Sequence, residues 1–258
     1  MNISTVVPVF NEEGSLQQLH EEISAALPAE GRHEILFIDD GSTDDSKGVL
    51  RGIAERDSRV RVVTFYRNYG KAEALAAGFE AATGDAVVTL DADLQDDPAE
   101  IPGLVALLSE GWDLVSGWKK ERQDPLSKRL PSRLFNFTVR LATGVPIHDS
   151  NCGLKAYRAP VVKNLEVYGG LHRYIPALAK YKGFRVTEKV VRHRPRLHGK
   201  TKYGAARYLH GLLDLFTVLF LGRYFQRPLH FFGLVGLSLM GAGLGISIYL
   251  TINWFGGV

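Results

Sequence analysis

The sequence predicts an α/β fold: a mostly parallel, Rossmann-like sheet flanked by helices, then an interfacial helix and a C-terminal transmembrane helix. Three observations predict it. Short apolar runs rich in β-branched residues alternate with helix-like stretches between residues 4 and 116, the pattern of a parallel sheet with crossover helices. Each of the main runs ends in a cluster of Asp, Asn, Gly or Ser, as strand ends leading into capped helices do. Near the C-terminus Phe231–Ile252 runs for 22 residues without a charge, long enough to cross a bilayer as a helix.

The elements follow in order. Residues 4–10 read as a first strand, and Ser15 as the N-cap of a helix that stops before Pro28. Glu34–Ile38 is a second strand, ending in Asp39-Asp40-Gly41-Ser42 and a capped helix. Val60–Phe65 is a third, with Arg67–Lys71 as its turn and an Ala-rich helix over 72–82. Asp85–Leu90 is a fourth, running into Asp91-Ala92-Asp93-Leu94-Gln95-Asp96-Asp97. A helix over 101–110 and a strand over 113–116 follow. Asp149–Tyr157 reads as a loop entering a strand, 158–165 and 173–181 as helical, and 186–191 as a strand. The basic run 192–203 carries too many breakers for a helix and reads as a loop. Tyr208–Leu221 is apolar but interrupted by Asp214, which suits a helix lying along a bilayer. The expected organisation is a catalytic domain over 1–204, an interfacial helix over 205–227 and a membrane segment over 228–258.

Composition narrows the function. The 258 residues carry a net charge of +3, with acidic residues crowding the first hundred positions and basic ones the next hundred. The single cysteine, Cys152, rules out an intramolecular disulfide and a multi-cysteine zinc site. Met1–Pro8 has neither the basic region nor the apolar stretch of a signal peptide. Arg223 and Arg227 precede the apolar helix and no charge follows it, so the positive-inside rule places the N-terminal bulk in the cytoplasm.

Three strand ends carry acids: Glu12, Asp39/Asp40 and Asp91/Asp93. In a doubly wound sheet these ends line one edge, where ligands bind. Asp91 and Asp93, with the amide oxygen of Gln95, suit a hard cation such as Mg²⁺ or Mn²⁺. The plainer reading is an acidic loop capping the next helix at Asp97-Pro98. An all-acidic cluster would repel itself without a cation, which favours the metal. From Lys119 to Arg140 the charge reverses, through Lys120, Arg122, Lys128, Arg129 and Arg133. That run reads as a solvated helix face or as a phosphate site. A GxSxG elbow, a Walker loop, a GxGxxG turn and an EF-hand loop are all absent. A nucleic-acid partner is disfavoured, because aromatics are not interleaved with the cations.

Five motifs in order, Pro8-Val9-Phe10-Asn11-Glu12-Glu13, Asp39-Asp40-Gly41-Ser42, Asn68-Tyr69-Gly70-Lys71, Asp91–Asp96 and Cys152-Gly153-Leu154-Lys155-Ala156-Tyr157, resemble family 2 glycosyltransferases of the GT-A fold. With the C-terminal anchor, the chain is similar to the polyprenyl-phosphate glycosyltransferases, the group that includes dolichol-phosphate mannose synthase. The resemblance implies transfer of one hexose from a nucleotide sugar, GDP-mannose or UDP-glucose, to a lipid phosphate at the cytoplasmic face. Overall likeness favours mannose. It implies that Pro8, Phe10, Glu12, Asp40, Lys71, Asp91, Lys200 and Lys202 bind the nucleotide. It implies that Asp91, Asp93 and Gln95 hold the metal, with Asp93 and Arg122 catalytic. Arg122, Arg129, Ser132 and Arg133 would bind the lipid phosphate. Relatives of this kind carry further membrane helices, so another helix or oligomerisation would complete the membrane part. The processive QxxRW signature is absent, which argues for single-sugar transfer.

An acceptor phosphate is already anionic, so it needs no general base, and direct attack would invert the anomeric centre. A hydroxyl acceptor would need one, with Asp149 the nearest candidate. A non-catalytic nucleotide-sugar binder is the reading from a different class.

Overall fold

A computed structural model describes residues 1–28, 30–120, 126–195, 206–225 and 227–256; side chains at 126–131, 206–210, 212 and 223 lie outside that description. The centre of the sheet is Ile3–Val9 (β1), buried along almost its whole length, as a strand covered on both faces must be. Its neighbours are His33–Asp39 (β2) and Ala86–Thr89 (β4), both parallel to it, and Val60–Thr64 (β3) extends the sheet beyond β2. Leu114–Trp118 (β5), Lys155–Arg158 (β6) and Val186–Val190 (β7) complete seven strands in the order β3-β2-β1-β4-β6-β5-β7.

The helices divide by face, as side-chain alternation along a strand requires. Ile3, Val7 and Val9 of β1 and Ile35 and Phe37 of β2 meet Leu16–Ala26 (α1), Ser46–Arg56 (α2) and Ile101–Ser109 (α4). Val6, Leu36 and Ile38 point the other way, to Lys71–Ala81 (α3), Ala159–Asn164 (α6) and Ile175–Tyr181 (α7). Gly78 lets α3 lie close to β1, since a Cβ there would come within 2.2 Å of Val6 Cγ1. Each fully buried leucine or isoleucine in these layers contributes about 1.5–3 kcal/mol.

The sheet is mostly parallel, as the alternation of strands and helices predicts, and β6 is the exception. It lies antiparallel between β4 and β5. The chain leaves β5 at the carboxyl edge and forms Leu126–Thr143 (α5). The loop after α5 is then held at that same edge: Ser116 Oγ donates to Asp149 O at 3.4 Å and Thr89 Oγ1 to Gly153 O at 2.8 Å. With no crossover back to the other edge, the next strand can only run down the sheet. Its first residue, Lys155, therefore lies where the parallel strands end.

Ser15 precedes α1 as expected, but its hydroxyl makes no capping bond. It donates instead to Glu12 O at 2.9 Å and Ala92 O at 2.7 Å, tying α1 to the acidic turn. Asp97 behaves as the plainer reading has it: Oδ1 accepts from Ala99 N at 3.0 Å, capping a 3-10 turn over Pro98–Glu100.

The chain forms two compact units, Met1–Leu215 and Phe216–Val258. Ala206–Arg223 (α8) runs across the division. Asp214, which interrupts its apolar run, pairs with Arg173 at 3.5 Å. Pro228–Gly256 (α9) is 29 residues long with mean hydropathy 1.9 and no buried residue in its most apolar window. A helix that is apolar on every side and exposed along its most apolar stretch suits lipid.

Candidate active site

The site lies at the carboxyl ends of β1 to β4, and much of it is pinned by hydrogen bonds to the backbone. Asn11, with φ 53, turns the chain after β1. Its N–H donates to Ser42 Oγ at 3.0 Å and its Oδ1 accepts from Thr43 N at 2.8 Å. Glu12 N donates to Ser46 Oγ at 3.0 Å, so the loop carrying Pro8, Phe10 and Glu12 is tied to the end of β2. Asp39 Oδ1 accepts from Ser42 N at 3.0 Å.

Asp40 is almost fully buried. Its carboxylate accepts from Tyr69 N at 2.7 Å and Gly70 N at 2.9 Å, which fixes the turn after β3. Burial nonetheless raises its pKa, against those two bonds. Gly41 is required beside it: φ is +69°, and a Cβ would come within 2.3 Å of the Arg67 carbonyl carbon. Asp40, expected to contact the nucleoside, thus has a positioning task in this structure: it sets where α3 begins, and with it Lys71.

Lys71 Nζ donates to Asp91 Oδ1. Burial would raise the Asp91 carboxyl, but the ammonium groups of Lys71, Lys119 and Lys155 outweigh it and hold the pKa down at about 2. The turn that follows is not extended, so the two carboxylates are not simply on one side of a strand. Leu94 takes φ 61, and Asp93 Oδ1 accepts from Gln95 N at 3.1 Å. Gln95 Nε2 lies 3.3 Å from His193 Nε2. Asp96 Oδ1 pairs with Lys119 Nζ at 2.7 Å, and this carboxylate raises the Lys119 pKa despite burial. The premise that the cluster is all acidic is therefore corrected: lysines from α3, the end of β5 and β6 interleave with the aspartates.

The backbone of Gly153 approaches Asp91 so closely that a Cβ would sit 2.7 Å from its Cγ. A cleft of about 10 Å³ lies here, lined by Pro8, Lys71, Asp91, Asn151, Lys155 and His172 among others. Lys155 donates to Cys152 O. Burial first, with the Lys71 charge among the further causes, lowers its pKa. Burial likewise drives His172 down to about 3, helped by Lys71 and Arg173, so its imidazole is neutral. In the sequence Lys155 lies within a motif and Asn151 in the loop before it, neither with a role of its own, and no local pattern marks His172.

A second, larger cavity of about 490 Å³ opens beside Lys119. The basic run builds it. Lys119, Lys120, Arg133 and Arg140 line it together with Ser132, and the loop after α5 adds His148 and Asp149. Among the described residues, Lys120, Arg133 and Arg140 have no carboxylate within ion-pair distance. Ser132 and Arg133, candidates for the lipid phosphate, both line this cavity. Arg129 falls on α5, but its side chain lies outside the described residues, as do Arg122, Lys200 and Lys202 entirely.

The donor set limits what cation the acidic turn can take. Among the described residues no three His, Cys, Asp or Glu side chains converge as a metal cage. Two carboxylates and an amide instead fit a hard cation that keeps water and substrate oxygens in its shell. Asp91 already draws positive charge, from Lys71.

Comparison with known proteins agrees with this architecture. The family model described as glycosyl transferase family 2 matches residues 4–166. Dodecaprenyl-phosphate galacturonate synthase of Rhizobium johnstonii is 40% identical over 99% of this chain and 77% of its own length. Undecaprenyl-phosphate 4-deoxy-4-formamido-L-arabinose transferase of Pseudomonas aeruginosa is 42% identical over 97% of this chain and 73% of its own. Among solved structures, glucosyl-3-phosphoglycerate synthase from Mycobacterium tuberculosis with Mn²⁺ and UDP-glucose superposes with a TM-score of 0.62 at 25% identity, covering 86% of this chain and 78% of that one. A family model matched over residues 4–166, and relatives aligned along nearly the whole chain, carry one conclusion: the protein belongs to glycosyl transferase family 2.

Proposed function

We propose that the protein transfers one glycosyl unit from a nucleotide sugar to a polyprenyl phosphate at the cytoplasmic face of a membrane. The observation that carries this reading is the cavity lined by Lys119, Lys120, Arg133 and Arg140, which adjoins the acidic turn through the Lys119–Asp96 pair. A leaving nucleoside diphosphate and an attacking phosphate are both anionic. The reaction therefore needs positive charge on both sides of the sugar, and preorganised cations supply it. Pro8, Phe10 and Glu12 border the donor side, and Asp40 fixes Lys71 toward the diphosphate. Asp91, Asp93 and Gln95 would hold Mg²⁺ or Mn²⁺, which when bound offsets charge on the leaving group. Arg122, Arg129, Lys200 and Lys202 belong to the same reading through their place in the basic segments.

The solved neighbour carries UDP-glucose, which favours a uridine donor. The relatives' names carry galacturonate and formamido-arabinose, so the sugar panel must extend beyond mannose and glucose. The arginines before α9 support the cytoplasmic orientation, and α8 would lie along the bilayer.

The test is a screen of nucleotide sugars against undecaprenyl phosphate, with and without EDTA. Transfer that disappears with chelator and returns with Mn²⁺ or Mg²⁺ is the expected result. Transfer indifferent to EDTA removes the metal from the reading. NMR of the product should show an inverted anomeric centre, and a retained one would sink direct attack.

One observation favours a second reading. Asp149 is buried on the wall of the large cavity, where it could serve as base for a hydroxyl acceptor. Asp149→Asn separates the two. Retained transfer to polyprenyl phosphate supports the first reading, loss of transfer in a variant that stays folded favours the second, and loss with unfolding marks a structural role.

A further inference from the structure

We infer that His148 is a further acceptor-binding residue, its Nε2 donating to the phosphate in the large cavity, and that Glu188 positions it. The inference rests on the acceptor reading above. His148 lies on the loop after α5, and its ring lines the cavity beside Lys120 and Arg140. Glu188 of β7 grips it twice: Oε2 accepts the His148 backbone N–H at 2.7 Å, and Oε1 pairs with the ring Nδ1. Trp118 stacks on the imidazole, ring centroids 4.2 Å apart and 14° from parallel. Lys120 Nζ lies 5.6 Å from the centre of the same indole.

These contacts define the ring completely. A carboxylate only accepts, so Nδ1 carries the proton shared with Glu188, and in the doubly protonated ring Nε2–H is a second donor. The indole fixes the plane of the ring, and Glu188 fixes its rotation. Glu188 occupies Nδ1, no partner among the described residues takes Nε2, and His148 lines the cavity. An imidazolium held this way is an oriented N–H donor, the orienting arrangement by which a buried or gripped histidine serves a ligand rather than solvent. The charged groups around it are Glu188, Lys120, Arg140 and the neighbouring Asp149. The cavity lining as a whole carries Lys119, Lys120, Arg133 and Arg140 against the one carboxylate of Asp149, so a ligand of net negative charge suits it, and a phosphate monoester matches the donors. A prenyl phosphate and a small phosphorylated acceptor share that chemistry.

The experiment uses the full chain in lipid nanodiscs. Binding of a short-chain prenyl phosphate and of glycerol 3-phosphate is titrated separately by tryptophan fluorescence, since Trp118 reports on the ring it covers. Steady-state transfer is measured alongside. His148→Ala should weaken prenyl-phosphate binding and raise the acceptor KM about tenfold, leaving the donor KM unchanged. His148→Gln keeps an N–H near the Nε2 position and should recover most of the loss. Glu188→Gln should weaken acceptor binding about threefold, since it removes the orienting charge but not the ring. Circular dichroism identifies any variant that fails to fold, and His148→Gln and Glu188→Gln then decide. His148→Ala that binds the phosphate as wild type does overturns the inference while wild-type transfer leaves the acceptor reading standing. An equal rise in donor and acceptor KM also overturns it, because that is a structural effect. A wild-type chain that binds glycerol 3-phosphate but not the prenyl phosphate overturns the acceptor reading, and the loss in His148→Ala then assigns the residue to the smaller ester. Wild type that binds neither overturns both.

Discussion

The acidic turn and the basic cavity are neighbours built on opposite terms. In the turn, each of several charges has its partner inside the fold: Asp91 with Lys71, Asp96 with Lys119, and Asp40 with two backbone N–H groups. In the cavity, Lys120, Arg133 and Arg140 converge with no described carboxylate in ion-pair reach. The turn is thus balanced within the fold, whereas the cations of the cavity are left for the proposed acceptor. Lys119 belongs to both, lining the cavity while paired with Asp96. The difference teaches where substitutions should alter the rate and where they should alter affinity.

The sharpest break is Asp91→Asn. It removes the charge that three lysines share and half of the carboxylate pair expected to meet a cation. Loss of one preorganised electrostatic group costs about 100- to 1,000-fold in kcat. Transfer should fall by that amount with the acceptor KM little changed, measured with purified chain and radiolabelled donor. A fall confined to KM would mean that the turn only binds.

Arg133→Ala addresses the other region. The guanidinium is exposed on α5 at the cavity wall, so its removal should not unfold the protein. The acceptor KM should rise about tenfold, the value of one charge-assisted hydrogen bond, with donor KM and kcat nearly constant. Equal changes in both substrates would erase the distinction between the regions.

Much of this arrangement was legible in the sequence, and the rest was hidden for physical reasons. Asp91, Asp93 and Lys71 stand at strand ends, and in an α/β alternation strand ends converge by topology. Ser132 and Arg133 sit in the basic stretch between Lys119 and Arg140, which marks them as candidates in the sequence. Lys155 and His172 could not, since the first reaches the site on the antiparallel β6 and the second on a 3-10 turn over Leu171–Tyr174. Neither follows from local periodicity. His148 and Glu188 lie 40 residues apart, on a loop and a strand. The lysines that neutralise the acidic turn come from three separate elements, so its charge balance exists only after folding.

Acid should test that balance with a smaller effect. The folded Asp91 pKa is depressed from 3.8 to about 2. The stabilisation from its ionised form is whole above the unfolded value, and it is lost as pH falls through the folded one. Wild type should lose about 1 kcal/mol more than Asp91→Asn across that window, after allowance for screening on the exposed side of the carboxylate. Urea midpoints by tryptophan fluorescence at steps through the window check it. Identical slopes for the two proteins would show that the lysines do not stabilise Asp91.

Cys152 tests the wall between the regions, and here the expected effect is none. It lines the small cleft beside Asp91, and it is 1% exposed. Burial first, with the carboxylates of Asp96 and Asp149, pushes its thiol up to about 12 against the attraction of Lys119 and Lys155. A thiol that is both buried and protonated is a poor nucleophile. Iodoacetamide at neutral pH should leave the folded chain unlabelled and fully active, while the same chain in denaturant is alkylated. Fast labelling of the native protein would mean that the lysine-and-aspartate wall opens in solution. The acidic turn would then be no more preorganised than the cavity beside it, and the contrast between rate and affinity effects would fail with it.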